Sequence, residues 1–268
     1  MQYKMQQATI RKTVGVYTIK QMQQEIAPGC VSQHRPSWHT QLFVGAYLFL
    51  SGIFTLLAFF VHTHPVLHVD VMITHAFQEH QATWLRMIML LVSFPGAYPM
   101  FMPVLIILTA LTFWVIRLRL EALVVTALYF ASNRLTLLLK ALVARPRPSA
   151  DLVAILQPAS GNSFPSDHVM SYVTFWGLLF ALVLILFKMN RWWHYALLTV
   201  PAFFVVLVGP SRIYLGAHWA SDVFGSYLLS GLLLGLGLWT YLALKRRGIL
   251  APAAQRRQKA EIETQPLG

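Results

Sequence analysis

Six stretches of this sequence are apolar enough to be membrane spans, and they leave the fold few alternatives. A helix needs about 20 apolar residues to cross hydrocarbon. Residues 42–62, 98–116, 122–142, 169–187, 195–208 with the adjoining turn, and 223–244 fit that requirement. Inside a bilayer each backbone N–H and C=O must be paired within the protein, which selects helices. The expected fold class is therefore all-α: a polytopic membrane protein with six transmembrane helices. A further apolar stretch, 76–94, contains Glu79, His80 and Arg86 and runs into Pro95-Gly96. It reads as a helix lying on the membrane surface within the first outer connection. Asp70 falls in a loop of the same connection and Glu121 at a membrane interface.

Only 11% of the residues are charged against 57% hydrophobic, about half the charged share of a soluble domain. One six-span domain, 41–245, accounts for this. It is flanked by a basic arm, 1–40 (Lys4, Arg11, Lys12, Lys20, Arg35), and a basic tail, 246–268 (Arg256, Arg257, Lys259). The first forty residues lack an apolar run, so no signal peptide is expected there. Cys30 stands alone and leaves no intramolecular disulfide.

The net charge of +12 comes from 21 Lys and Arg against 9 Asp and Glu. It gathers outside the apolar stretches, as topology demands, so nucleic acid is not the expected partner. Six spans put both termini on one side, together with Arg117, Arg119, Lys188 and Arg191. The positive-inside rule makes that side cytoplasmic; the expected setting is a plasma membrane of the bacterial inner-membrane type. Lys140, Arg145, Arg147 and Arg212 break the rule, because they lie in the other two outer connections. Something besides topology must hold them there.

Those cations belong to three segments at the outer ends of the spans. The first is Lys140-Ala-Leu-Val-Ala-Arg145-Pro146-Arg147-Pro148, the second Ser163-Phe164-Pro165-Ser166-Asp167-His168. The third runs from Ser211-Arg212 through His218 to Asp222. Such a set suits a phosphate. Lys and Arg give charge-assisted hydrogen bonds to its oxygens. Ser166 and amides at the start of a helix add donors where the helix dipole favours an anion. His218 and Asp222 are four apart and would share a helix face. The carboxylate can then hold one ring nitrogen as N–H and leave the other to attack. His168 can protonate a leaving alcohol.

In order and spacing the segments resemble the type 2 phosphatidic acid phosphatase superfamily, whose pattern is Lys-x6-Arg-Pro, Pro-Ser-Gly-His and Ser-Arg-x5-His-x3-Asp. Here it reads Lys140 to Arg147-Pro148, Pro165-Ser166-Asp167-His168, and Ser211-Arg212 to His218 and Asp222. The resemblance implies a helical core shared with vanadium haloperoxidases and a site at the extracytoplasmic end. It implies His218 as nucleophile, Asp222 as its orienting partner, and His168 as general acid and then base. Lys140, Arg147, Arg212, Ser166 and the Asp167 amide would bind the phosphoryl oxygens, with no metal and no cofactor. Asp167 replaces the usual Gly. Its carboxylate would raise the pKa of His168, and Pro-Ser-Asp-His is similar to the form in undecaprenyl-diphosphate phosphatases of the superfamily.

The expected function is hydrolysis of a lipid phosphate or diphosphate: phosphatidate, phosphatidylglycerophosphate or a polyprenyl diphosphate. A lipid phosphotransferase would use the same residues. A transporter or scramblase would leave the three segments unexplained. Other readings stay open for single residues. Arg145 lies outside the pattern and reads equally well as a headgroup anchor. His218, Asp222 and His168 could be metal ligands. His62, His64, His68, His75 and His80 read as a solvated loop cluster. Arg134, within the third span, would face the bundle interior and pair with Asn133 or backbone carbonyls.

Overall fold

The computed structural model describes residues 38–187 and 191–249. Cys30, Lys188, most of the expected N-terminal arm and the tail beyond residue 249 lie outside the described residues. The chain divides into two units, Met1–Gly45 and Ala46–Gly268. Of the first, only the opening of one helix is described; the three motif segments and the helices around them belong to the second.

Eight helices are described: α1 Trp38–Thr63, α2 His68–Gln78, α3 Thr83–Ala97, α4 Phe101–Val115, α5 Arg119–Val143, α6 Asp167–Leu186, α7 Trp192–Tyr214 and α8 Ala220–Arg246. Five of them, α1 and α5 to α8, are long and apolar enough to span a membrane. The expected spans fall on these five within a few residues, except that α7 continues past 208 to Tyr214, straight through Pro201 and Pro210.

The second expected span is different. Residues 98–116 hold one helix, α4, which is only 15 residues long. It meets α3, also of 15 residues, at an angle of 71°, and the two make one broken span or a re-entrant pair. Each is only about 22 Å long, short of the ~30 Å hydrocarbon core. The break follows from Pro99. Tyr98 before it is extended (φ −104°, ψ 124°), as a residue preceding proline tends to be. Pro95, expected to end a surface helix with Gly96, lies buried inside α3. The stretch 76–94 is correspondingly not one helix: it is shared between the end of α2 and most of α3.

Helix α6 is the centre, packed against α5, α7 and α8. Val169, Tyr172, Leu178 and Leu182 on it are buried. Lipid tails are as apolar as leucine, so close approach must replace the hydrophobic effect in holding spans together. A Cβ on Gly177 would come within 2.8 Å of Leu234, and one on Gly209 within 2.6 Å of Tyr227. Glu121, in the first turn of α5, is buried. It accepts a 2.8 Å hydrogen bond from Tyr241, which in turn accepts one from Lys245, tying α5 to α8 at the end away from the motifs.

Candidate active site

The end of α5, the starts of α6 and α8 and the end of α7 lie at one end of the bundle, and local sequence explains each terminus. Helix α5 stops at Ala144 (φ 48°, left-handed), because Arg145-Pro146-Arg147-Pro148 cannot continue it. Helix α6 begins right after Pro165, with extended Ser166 at its N-cap and Asp167 in its first turn. Helix α8 begins after extended Trp219, whose N–H donates to Asp222 Oδ2 at 3.0 Å. His218 therefore sits in the loop before α8. The expected shared helix face is not what brings it to Asp222; the turn does, leaving Nδ1 3.6 Å from Oδ2.

His218 is 1% exposed. Its Nε2 is 3.0 Å from Arg147 Nη1. A guanidinium has donors and no acceptor, so Nε2 accepts and the ring proton resides on Nδ1, facing Asp222 and, at 3.5 Å, the Ser163 hydroxyl. Burial first, and then the positive charges of Arg147, Arg212 and Lys140, hold the imidazole well below the ordinary histidine pKa. It is neutral at pH 7, with its lone pair among cations.

Arg147 is itself held by Ala217 O at 2.7 Å and by the carbonyls of Ser160 and Gly161 at 3.0 Å. Arg212 donates to Ser93 Oγ and, at 2.7 Å, to Gln157 Oε1. Lys140 donates to Asn162 O and pairs with Asp167 at 3.1 Å. The Asp167 carboxylate is thus paired with Lys140, not with His168 as the sequence suggested. His168 lies against α3 instead. A Cβ on Gly96 would run into its Cδ2 and sit 2.7 Å from its Nε2. The Gly96 N–H donates to Tyr172 Oη, which donates to Val92 O.

Among the described residues, buried side-chain atoms without a hydrogen-bond partner include Ser166 Oγ, His168 Nε2 and Arg212 Nε. Each such atom costs about 1–3 kcal/mol when left unsatisfied. All three belong to residues expected to grip or protonate the substrate.

Asp70 and Arg145 depart furthest from their expected places. Asp70 is in α2, not in a loop, and 2% exposed; Arg145 is 1% exposed and anchors no headgroup. Arg145 reaches Asp70 at 2.7 Å and Asp222 at 2.5 Å. Arg134 also departs from expectation, standing exposed on α5, as does Asn133. Among the described residues no group of three His, Cys, Asp or Glu side chains is placed to hold a metal ion. His62 pairs with backbone, its Nδ1 2.9 Å from Val143 O. Sequence reasoning missed Ser93, Gly96 and Gln157, which lie 50 or more residues from the side chains they hold and carry no local signal.

A family model described as the PAP2 superfamily matches residues 120–247. Phosphatidylglycerophosphatase B of Bacillus subtilis is 32% identical over 183 residues, 68% of this chain and 87% of its own length. A putative undecaprenyl-diphosphatase of Escherichia coli, YbjG, is 37% identical over 78 residues, 29% of this chain and 34% of its own. The crystal structure of a transmembrane PAP2-type phosphatidylglycerolphosphate phosphatase from Bacillus subtilis superposes with a TM-score of 0.65 at 28% identity. It covers 75% of this chain and 98% of that one. Fold and relatives together define a multi-pass, all-α membrane phosphatase. The chain belongs to the PAP2 superfamily.

Proposed function

We propose that this protein hydrolyses a lipid phosphate through a phosphohistidine on His218. The observation that carries the reading is the set of orphaned atoms. Ser166 Oγ, His168 Nε2 and Arg212 Nε are buried without partners, around a neutral imidazole whose Nε2 meets only a guanidinium donor. A phosphoryl group supplies what they lack. Its oxygens accept from Ser166, the Arg212 Nε–H, Arg147 and Lys140, and its phosphorus presents an electrophile to Nε2.

In the first step Nε2 of His218 forms a bond to phosphorus as the bond to the lipid oxygen breaks. His168 gives its proton to that oxygen. In the second step His168, now neutral, takes a proton from water as the water oxygen attacks phosphorus. The P–N bond breaks and inorganic phosphate leaves. Asp222 holds the Nδ1 proton throughout. Charge in the transition state spreads over the equatorial oxygens, so the fixed cations do most of the work. No step needs a metal.

The long match to a phosphatidylglycerophosphatase supports phosphatidylglycerophosphate as a substrate. The Asp167 variant and the shorter match to YbjG support a polyprenyl diphosphate as the rival, with phosphatidate as the third candidate. Arg117, Arg119, Arg191, Lys245 and Arg246 lie at the end of the bundle away from the site, which supports a cytoplasmic assignment for that end and an extracytoplasmic site. Phosphate release from the three lipids, with EDTA present, ranks the substrates and tests metal independence together. His218→Ala should fold and release nothing; activity above a few per cent of wild type in the purified variant would remove His218 as nucleophile.

A further inference from the structure

The nucleophile's partner, Asp222, is part of a larger buried charge cluster whose far end is on a different element. Arg145 places Nη1 against Asp222 Oδ1 and Ser221 Oγ, Nη2 against Asp70 Oδ2, and Nε against Pro65 O. Asp70 also accepts from the Ser221 N–H at 2.8 Å and the Ser221 hydroxyl at 2.6 Å. Two buried carboxylates thus share one buried guanidinium.

We propose that Asp70 is a positioning residue for the phosphoryl-transfer step, keeping Asp222 an effective negative charge behind His218 by drawing off part of Arg145. This rests on His218 being the nucleophile. The charge balance gives the reason. Asp70, Arg145 and Asp222 sum to one negative charge, and the carboxylate oxygen left over from the arginine, Oδ2 of Asp222, is the one facing Nδ1 of His218. Without Asp70 the sum is zero. Arg145 would then neutralise Asp222 alone, and the imidazole would face Arg147, Arg212 and Lys140 with nothing opposing them. Interactions of this kind are strong where water is excluded, and Asp70, Arg145 and Asp222 are all at most 2% exposed. A phosphohistidine carries positive charge on its ring, so losing that opposing charge weakens both the nucleophile and the intermediate.

The groups that bear on His218 are Lys140 from α5, Arg147 from the loop after it, His168 from α6, Arg212 from α7 and Asp222 from α8, with Arg145 and Asp70 behind the last. Asp70→Asn removes one charge from this set and keeps an oxygen for the Ser221 N–H. The expected result is a kcat at least tenfold lower with KM within about twofold, and an acid limb of kcat/KM displaced to lower pH. The sign is set by the lost negative charge, which disfavours the imidazolium. Asp70→Glu keeps the charge, so the acid limb should stay at its wild-type position and most of kcat should be retained.

A merely structural Asp70, one that only caps α8, gives a lower Tm with unchanged kcat and acid limb in Asp70→Asn; that result overturns the proposal. Should Asp70→Asn not fold, a folded Asp70→Glu that loses kcat tenfold with its acid limb displaced overturns it as well, because the charge is retained. The parent reading fails separately: wild type would then release no phosphate, or His218→Ala would retain activity.

Discussion

Nη1 of Arg147 lies 3.0 Å from Nε2 of His218, so the same cation that would grip the phosphate also fixes the tautomer of the group that attacks it. Burial and this charge depress the imidazole pKa, so the neutral nucleophile persists below the ordinary histidine value of about 6.5. The acid limb of kcat/KM, which reports the free enzyme, should therefore lie below pH 6.5. Arg147→Gln removes the largest charge contribution to that depression, so the limb should move to higher pH while kcat/KM falls. A pH–rate series on both proteins checks it. A limb that stays put in the variant would mean another group titrates there.

His168 should matter in proportion to how badly the leaving group needs a proton. With a lipid alcohol leaving, His168→Ala is expected to lose about 10²–10⁴-fold, the usual worth of a general acid. With an aryl phosphate that leaves as a stable phenolate, the first step needs no proton. The variant should then give a single-turnover burst and stall as phosphohistidine, because no base activates water. Gly96→Ala should resemble it on lipid substrates, since the added Cβ would sit 2.7 Å from Nε2 and push the ring aside. Burst kinetics and acid-labile phosphate on the protein are the measurements. Equal losses on both substrates would contradict the acid role.

What could be read from the sequence divides by range. Five spans were legible because a 20-residue apolar run is a local signal, and the three motif segments because each is short and ordered. The second span was legible as far as α4, but its bent pairing with α3 was not: Pro95-Gly96 looked like the stop of the preceding helix, whereas the break falls at Tyr98-Pro99. The support of the site was not legible. Arg145 resembled one more juxtamembrane cation, and Asp70, 75 residues earlier, could be paired with it only in three dimensions. Gln157 and Ser93 reach Arg212 from separate segments for the same reason.

Arg134 offers a contrast within α5. Ser132 and Thr136 on this helix are buried, whereas Arg134 is exposed, so it does not join the cluster around His218. Arginine near the middle of a span costs about 2.5–3.5 kcal/mol on insertion scales, and leucine removes that cost. Arg134→Leu is expected to keep kcat/KM within twofold and not to lower Tm in detergent. A tenfold loss of activity would place Arg134 on the path of the substrate.

The turn between α7 and α8 tests how the phosphate-binding arginine is held. Gly216 has φ +67°, and a Cβ there would run into the Ala154 carbonyl oxygen. The left-handed conformation alone costs a non-glycine residue about 1–2 kcal/mol, and the contact is with backbone, which cannot rotate away. Just beside it, Leu215 O accepts from the N–H groups of Leu156 and Gln157 at 3.1 Å, and Gln157 is the residue that holds Arg212. Gly216→Ala must therefore push the 154–157 loop outward and loosen that guanidinium. The expected outcome is a lower Tm with a raised KM. The KM effect should be reproduced by Gln157→Ala, which removes the grip on Arg212 without straining the turn. If Gly216→Ala lowers Tm alone, and Gln157→Ala leaves KM untouched, Arg212 is positioned by something other than this loop.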